Sequence, residues 1–145
     1  MSQLSRFGIS VEEELLKRFD ELIGKQGYPN RSEAFRDLMR DALVKSYLEE
    51  SAETSQVVGS LTLVYDHHAR ELNDKMNDLQ HQHYHLVVSV NHVHISHDDC
   101  LEVIVLRGEV WEIKSLANSL LSLKGVKHGQ LFITLPSKAI VNPQN

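Results

Sequence analysis

The sequence contains a single cysteine, Cys100, among its 145 residues. One cysteine cannot form an internal disulfide, so a disulfide-stabilised fold is excluded and a reducing compartment is expected. No segment approaches the run of about 18 apolar residues that a membrane-spanning helix requires. The start of the chain, Met1 to Arg6, also lacks the apolar core of a secretory signal. We therefore expect a cytoplasmic protein that does not span a membrane.

The sequence also lacks a surplus of basic residues, because 15 lysines and arginines stand against 20 aspartates and glutamates. The formal charge of −5 predicts weak nonspecific attraction to nucleic acid, so any DNA contact must be confined to a small surface. A hydrophobic share of 41% and a charged share of 24% are typical of a globular protein and exclude a disordered or fibrous chain. Histidine, in contrast, is abundant, and all nine histidines lie between His67 and His128.

The first 50 residues predict a short strand followed by two helices. Residues 4–11 alternate between apolar and polar side chains, as a half-exposed strand does. Ser10 and Glu13 fit a capping box at the start of a first helix, and Asn30 and Glu33 repeat that pattern before a second helix. Apolar residues recur at helical spacing after each of these caps. The order of elements is therefore strand, helix, turn, helix.

A unit of this size can barely bury enough surface to fold alone, and its one strand has no partner. We expect it to dimerise by antiparallel pairing of the strand with its copy in a second chain. The paired strands would expose Arg6, Gly8 and Ser10 as a two-stranded ribbon, which fits the major groove of DNA. The amides that open the second helix would offer a phosphate site at Asn30, Arg31 and Ser32.

A polar linker at residues 51–56 is predicted to separate this unit from a second domain at 57–136, with a tail at 137–145. The periodicity of the second domain predicts the order β-α-β-β-α-β, which is that of a ferredoxin-like fold. The predicted strands cover residues 57–65, 84–95, 100–107 and 130–135, and the predicted helices cover 66–79 and 110–123. The predicted fold class of the whole chain is α+β.

Six histidines cluster just before the cysteine, at positions 81, 83, 85, 92, 94 and 97. His92 and His94 lie two residues apart on a predicted strand, so their imidazoles share one face, and Cys100 can fold back towards them after the turn. A single histidine on a strand is more often a surface residue than a ligand, but the joint pattern favours a metal site. Imidazole and thiolate ligands leave zinc, copper and nickel as candidate metals.

Three segments of the chain resemble the nickel-responsive ribbon-helix-helix transcriptional regulators, in that family's order and spacing. They are GYPNRSEAFRDLMRDAL at 27–43, HVHISHDDCLEVIVLRG at 92–108 and GVKHGQL at 125–131. The resemblance implies a bacterial or archaeal homotetramer, a dimer of dimers, with a core of ACT-like domains and a DNA-binding dimer at each end. It further implies that nickel switches repression of nickel-uptake genes through binding of the protein to double-stranded operator DNA.

The resemblance also implies a ligand set for nickel. By motif, the family's site falls on His92, His94 and Cys100 of one subunit and on His81 of a neighbouring subunit, with one Ni(II) per subunit. Cys100 would bind as a thiolate, so the affinity for nickel should fall as the pH drops. Glu102 lies one strand period beyond Cys100 and is a candidate for supporting the ligands by hydrogen bonds, although a solvated strand position is an equally good interpretation.

The positions that read DNA in this family match Arg6, Gly8 and Ser10 in this sequence. Gly8 has no side chain that could contact a base, so we expect sequence readout to rest on Arg6 and Ser10. The resemblance also implies a second cation site at Glu33 and Asp37 and an accessory metal site at His67 and His68. His83 and His85 alternate on the strand that leads to the main site, where they are either spectators or transient ligands, and for His128 a structural or interface role is as good an interpretation as any.

Other classes of protein could use some of these features. A zinc- or copper-dependent metalloprotein or enzyme could use the His/Cys cluster, but a metalloenzyme needs an open ligand position and a general base. An amino-acid-sensing regulator would not need a thiolate, and a nickel store would leave the N-terminal strand and helices unexplained. The sequence therefore predicts a nickel-sensing repressor that is not an enzyme.

Overall fold

The computed structural model describes residues 3–50 and 55–135. Most of the predicted linker at 51–56 and all of the predicted tail at 137–145 lie outside the described residues. The chain divides into two compact units, Met1–Leu43 and Val44–Asn145. This division falls inside one helix that continues to residue 50, so the predicted domain boundaries stay predictions.

The first unit contains helix α1 (Glu13–Lys25) and the greater part of helix α2 (Arg31–Glu50). Within the described residues, the segment 3–12 is not assigned to a strand and precedes α1 as an exposed stretch. The strand predicted at 4–11 is thus not formed by a single chain. The reason is physical: a strand is stabilised by backbone hydrogen bonds to a neighbour, and the neighbour expected here is the same segment of a second copy.

One of the two predicted helix caps is present. The backbone amide of Glu33 donates to the side-chain oxygen of Asn30 at 3.0 Å, so the predicted cap of α2 is confirmed. The predicted cap of α1 at Ser10 is wrong, because Glu12 occupies the N-cap position and makes no side-chain capping hydrogen bond. Instead, the negative charges of Glu13 and Glu14 in the first turn stabilise α1 by interacting with the positive end of the helix dipole.

The apolar face of the first unit is largely uncovered within one chain. The ring of Phe35 stacks on Phe19 at 5.2 Å and meets Phe7 edge-on at 6.5 Å. Phe7 is nevertheless 63% exposed, and Leu4 is 86% exposed. These side chains line an open groove of about 1070 Å³ along the first unit. An apolar surface of this kind is typical of a protein–protein contact.

The second unit is an antiparallel sheet of four strands, in the order β2-β3-β1-β4, with two helices. Its elements are β1 (Gln56–Asp66), α3 (Arg70–Gln82), β2 (Val87–His94), β3 (Asp99–Glu109), α4 (Val110–Leu121) and β4 (Val126–Thr134). The predicted order β-α-β-β-α-β is confirmed. The helix predicted from residue 66 begins only at Arg70, because β1 continues to Asp66 and a turn at His67 and His68 follows. The last strand begins at Val126, earlier than the predicted residue 130.

The core of the second unit lies between the sheet and the two helices. Alternate residues of β1 are buried, as the two-residue period of a strand requires. They pack with apolar residues of β3, α3 and α4. The core includes Val57, Leu61, Leu63 and Tyr65 of β1, Ile104 and Leu106 of β3, Leu72 and Met76 of α3, and Ile113, Leu116 and Leu120 of α4. Within the described residues, no helix is both long and apolar enough to cross a membrane.

Two glycines explain part of the GVKHGQL segment. Gly125 has a φ of 103°, a conformation that favours glycine, at the turn into β4. A Cβ atom at Gly129 would lie 2.4 Å from the Cδ2 atom of Leu121 and 2.8 Å from the carbonyl oxygen of Thr62. This position on β4 therefore tolerates no side chain without moving backbone, and it allows α4 to lie close to the sheet.

The register between β2 and β3 positions the histidine-rich strand. His92 lies opposite Glu102 and His94 lies opposite Cys100, so all four side chains are on the same face of the sheet. On this face Cys100 and Glu102 are buried, whereas His92 and His94 are exposed at the edge strand. Helix α4 packs on the other three strands, β1, β3 and β4. The histidines thus lie at the open margin of the helical layer.

Candidate functional site

Cys100 is the centre of one group of candidate metal ligands. Its thiol is fully buried at the start of β3, and its Sγ atom lies 3.3 Å from Nδ1 of His94 and 3.1 Å from Nδ1 of His67. His94 comes from the neighbouring strand, and His67 comes from the turn after β1. One ligand atom from each of the three residues lies within 4.8 Å of the others. We call this group the inner cluster.

His92 is held beside the inner cluster by a buried tyrosine. Its Nδ1 atom lies 3.0 Å from the hydroxyl oxygen of Tyr65, and its ring centroid lies 5.1 Å from that of His94. Burial raises the pKa of Tyr65, with further contributions from the charges of Glu102 and Cys100, so the hydroxyl stays protonated at neutral pH. With Nδ1 directed at Tyr65, the Nε2 atom of His92 is the nitrogen free to bind a metal.

Glu102 is buried directly behind His92, which decides between the two interpretations of this residue. Burial raises the pKa of its carboxyl group, against the lowering effects of a hydrogen bond from the Gln80 amide at 3.4 Å and of His92. Because Glu102 is shielded from solvent and faces a candidate ligand, it is placed to support that ligand and is not a solvated strand residue.

The chemistry of the inner cluster fits a borderline transition metal. Burial raises the pKa of the Cys100 thiol, and the carboxylates of Asp99 and Glu102 add to this effect. A thiolate at this position therefore needs a cation beside it. A thiolate together with imidazoles suits nickel, zinc or copper and does not suit calcium or magnesium. The residues present thus fit the metal that the resemblance implies.

His81 stands apart from the inner cluster within one chain. It is exposed in the last turn of α3, and among the described residues no contact joins it to His94 or Cys100. The single chain therefore brings together His94 and Cys100 of the predicted set, adds His67 to them, and places the ring of His92 next to that of His94. His81, the fourth predicted ligand, lies outside the group. This arrangement is compatible with a ligand that another subunit supplies.

The two residues of the predicted accessory site, His67 and His68, belong to two different groups. His67 is part of the inner cluster, whereas Nε2 of His68 lies 3.2 Å from Oδ1 of Asp98. Nδ1 of His97 lies 3.3 Å from the same carboxylate oxygen. His68, His97 and Asp98 form an exposed group with ligand atoms within 4.8 Å of one another, which we call the outer cluster.

The remaining histidines lie outside both clusters. His83 contacts the carbonyl oxygen of Leu79 through Nδ1 at 2.9 Å, and Nε2 of His85 lies 3.7 Å from Oε1 of Glu112. His128 lies on β4 opposite Val64 and lines a shallow pocket on the sheet.

The carboxylates of the predicted second cation site are paired with arginines. Glu33 contacts Arg36 at 2.6 Å, and Asp37 contacts Arg40 at 2.8 Å while accepting a hydrogen bond from the Tyr28 hydroxyl at 2.7 Å. Within the described residues, Glu33 and Asp37 do not belong to a group of three or more candidate metal ligands. Their role as a cation site stays a prediction.

The predicted DNA-contacting residues of the first unit fall into two groups. Arg6, Gly8 and Ser10 are exposed in the segment before α1. At the start of α2, the Arg31 guanidinium makes two hydrogen bonds to the carboxylate of Asp20, at 2.8 and 2.7 Å. This pair neutralises the Arg31 side chain, so the helix-start amides of Arg31 and Ser32 are the donors that a phosphate could use.

Sequence patterns do not indicate two features of this region, the contact of Tyr65 with His92 and the meeting of His68 with His97 and Asp98. Tyr65 was counted only within a strand, although its position on the buried face of β1 is the signal that could have placed it near His92. The sequence places His97 in the histidine-rich segment but does not indicate Asp98 as a partner of the histidines. Their contact with His68 joins positions 30 residues apart, which local periodicity does not reveal.

Comparison with known proteins identifies the family. Residues 5–46 match the family described as "Ribbon-helix-helix protein, copG family", and residues 58–134 match "NikR C terminal nickel binding domain". A protein of Solibacter usitatus (strain Ellin6076) is 54% identical over 134 residues, which cover 92% of this chain and 95% of the relative. A protein of Trichlorobacter lovleyi is 51% identical over the same share of each chain, and both relatives are named nickel-responsive regulators.

The chain belongs to the NikR family. The predicted fold class is confirmed, with a ribbon-helix-helix region followed by an α+β domain. A solved structure of an uncharacterized protein from Thermotoga maritima also shares the fold, with a TM-score of 0.50 and 16% identity over 55% of this chain and 98% of that chain. The NikR family consists of transcription regulators, so a metalloenzyme is no longer a supported interpretation of the inner cluster.

Proposed function

We propose that this NikR family protein is a nickel-sensing transcriptional repressor that binds double-stranded operator DNA in response to Ni(II). The observation that carries the proposal is the buried Cys100 thiol with the imidazole of His94 at 3.3 Å, in the same chain as a ribbon-helix-helix region. Control of nickel-uptake genes follows as the biological role. Since the protein acts on DNA, we propose that it works in the cytoplasm of a bacterium or archaeon.

The proposed ligand set is His92, His94 and Cys100 of one chain with His81 of the partner subunit, at one nickel ion per subunit. The strand register supports the first three, because it directs both histidines to the face that carries Cys100. The exposure of His92 at the sheet margin supports the fourth, since a second subunit can approach there. Tyr65 then acts as a positioning residue that holds His92, and Glu102 lies opposite His92 on the neighbouring strand.

Ligands drawn from two subunits connect metal occupancy to the arrangement of the assembly. When bound, nickel would supply the positive charge that keeps Cys100 as a thiolate. Cys100 must then release its proton, and the Nε2 atom of His92 must be unprotonated. Because His81 of the partner subunit is required to complete the set, only one relative placement of the two subunits satisfies all ligands, which is the basis of a switch.

The proposed assembly is a homotetramer, a dimer of dimers. In the first domain, at 1–50, the exposed segment 4–11 and the apolar groove beside it support pairing with a second copy. In the second domain, at 57–136, apolar side chains are exposed on the sheet face opposite the helices, with Phe132 65% and Val93 47% exposed. Two separate apolar surfaces on one chain support two kinds of subunit contact.

For DNA recognition we propose base contacts by Arg6 and Ser10 on the paired strands. The backbone of Gly8 would lie close to the groove without reading a base. Because Asp20 holds the Arg31 guanidinium, the phosphate contact at the start of α2 is proposed for backbone amides. DNA contact is thus confined to this small surface, duplicated by dimerisation, as we expect for a protein whose net charge is −5.

The test is DNA binding by the full-length protein with and without nickel. A duplex selected from a random library by the nickel-loaded protein serves as the probe, and fluorescence anisotropy reports its affinity. We expect nickel to strengthen binding at least about fivefold, a typical lower limit for allosteric coupling. Equal affinity with and without nickel would refute the sensing function.

Two variants separate the parts of this proposal. Cys100→Ala should lose tight nickel binding and with it the response of DNA binding to nickel. Arg6→Ala should keep wild-type nickel affinity while losing affinity for the selected duplex. Loss of nickel affinity in Arg6→Ala would contradict the division of labour between the two domains.

One observation favours a second metal. His67, His94 and Cys100 gather three ligand atoms within a single chain, and three protein ligands are the number that a zinc site with an open position has. The absorption spectrum of the loaded protein distinguishes the two, because a planar nickel–thiolate site absorbs in the near ultraviolet and visible range whereas zinc is colourless there.

A further inference from the structure

The last turn of α3 carries His81, and His83 closes this end of the helix. The helix ends at Gln82, and the backbone of His83 leaves the helical conformation, with a φ of −116° and a ψ of 32°. The Nδ1 atom of His83 lies 2.9 Å from the carbonyl oxygen of Leu79, one turn earlier. A carbonyl oxygen can only accept a hydrogen bond, so Nδ1 carries the proton and donates it. The imidazole thus binds one of the last four carbonyl groups of the helix, which lack partners within it.

The backbone that follows His83 is fixed to the core of the second unit. The amide of Leu86 donates to the carbonyl oxygen of His83 at 2.9 Å, and the amide of Arg107 on β3 donates to the carbonyl oxygen of Leu86 at 2.9 Å. Leu86 is only 1% exposed, and a Cβ atom at Gly108 would lie 2.5 Å from its Cδ2 atom. The chain that leaves α3 is therefore anchored on β3, and the side chain of His83 connects this anchored segment to the helix.

The same contacts determine the backbone position of His81. Its carbonyl oxygen accepts from the amide of Tyr84 at 3.4 Å, and Leu79 packs against the core from the same turn of the helix. The side chain of His81, in contrast, is exposed and projects from this fixed backbone. The reach of its imidazole thus depends on whether the last turn of α3 is formed.

We propose that His83 is a positioning residue for His81. By capping α3 it holds the last turn in the conformation in which His81 completes the nickel site of the neighbouring subunit, an inference that rests on the ligand set proposed above. Without the cap the turn frays, and nickel is bound only by the fraction of molecules in which the turn is formed. Among the described residues, the groups of three or more candidate metal ligands do not include His83, which agrees with a positioning role.

The nickel affinity of the full-length protein, measured by competition with a chelator of known affinity, tests this role. His83→Ala should weaken nickel binding by about 2- to 12-fold, the factor that corresponds to one hydrogen bond between uncharged groups. His83→Asn should restore most of the affinity, because the side-chain amide of asparagine donates from nearly the same place as Nδ1 and offers no imidazole to a metal. Gln82→Ala, at an exposed position of the same helix end, is the control and should bind nickel as the wild type does.

A double-mutant cycle with His81→Ala measures whether His83 acts through His81. His81→Ala by itself should weaken nickel binding, and in that background His83→Ala should cause no further loss. A further loss equal to that in the wild-type background would overturn the proposal, because His83 would then act independently of His81. A loss in His83→Asn as large as in His83→Ala would also overturn it, since the imidazole itself would then be needed as a ligand.

Failure of the proposed function has a different appearance in these experiments. Wild-type nickel affinity in His81→Ala would refute the ligand set and this role of His83 together. Wild-type affinity in His83→Ala, with a loss in His81→Ala, would refute the positioning role alone. Failure of the repressor function would instead appear as nickel-independent DNA binding of the wild-type protein. Circular dichroism checks the fold of every variant.

Discussion

Removal of the Tyr65 hydroxyl tests how the fold prepares His92 for a metal. Tyr65→Phe keeps the buried ring, which is only 2% exposed, and removes the partner that lies 3.0 Å from Nδ1 of His92. For Nε2 to bind nickel, Nδ1 must carry the proton and donate it to the Tyr65 oxygen. Without this contact the imidazole can rotate and change tautomer, so the metal must select one arrangement from several.

The expected size of the effect follows from the loss of one hydrogen bond between uncharged groups. Such a bond contributes about 0.5–1.5 kcal/mol net. Because a factor of ten in affinity corresponds to about 1.4 kcal/mol, nickel binding should weaken by about 2- to 12-fold. The free energy of unfolding should fall by no more than about 1.5 kcal/mol, since the ring still fills its place in the core.

The assay is competition for nickel against a chelator of known affinity, at one pH for all proteins. Tyr84→Phe is the control, because Tyr84 is 75% exposed and lies outside both clusters. We expect its nickel affinity to equal that of the wild type. Wild-type affinity in Tyr65→Phe, together with a large loss in His92→Ala, would show that His92 is a ligand which Tyr65 does not orient, and the reasoning would then be wrong.

Two further predictions concern stability and charge. Ile113→Ala should destabilise the second unit by about 2–5 kcal/mol, because Ile113 is fully buried. Urea unfolding, followed by the fluorescence of Trp111, the only tryptophan in the sequence, measures this loss. Ser115→Ala, at an exposed position of the same helix, is the control. Pairing with Arg31 lowers the pKa of Asp20. The ion pair therefore stabilises the fold above the ordinary aspartate pKa of about 4, and this contribution is lost as the pH falls through the lowered value. Arg31→Gln should raise the pKa of Asp20 towards its ordinary value in an NMR titration, and an unchanged pKa would contradict the role of the pair.

Local patterns in the sequence were sufficient to predict much of the fold. The period of the apolar residues predicted the helices of both units and the order of strands and helices in the second unit. Asn30 with Glu33 predicted the cap of α2, because a capping hydrogen bond joins residues only three positions apart. The equivalent prediction at Ser10 was wrong, since an acidic first turn allows α1 to start without such a cap.

The strand predicted at 4–11 shows that a local pattern can predict an element which a single chain does not form. Its alternation predicts a strand, but one chain does not supply a hydrogen-bonding partner, and the described segment is not a strand. Phe7 and Leu4 are also exposed in the single chain, which agrees with the proposed pairing with a second copy.

In the candidate metal site, too, some contacts follow from local sequence patterns and others only from the tertiary structure. By itself, the sequence determined that His92, His94 and Cys100 share one face around a turn, because two-residue periodicity and a short hairpin are local properties. Only the tertiary structure decided that His67 contacts Cys100, that Tyr65 holds His92, and that His68 meets Asp98. Each of these contacts joins residues about 30 positions apart through the pairing of β1 with β3. Such contacts depend on the register between strands and on the backbone path of two turns, which local periodicity does not specify.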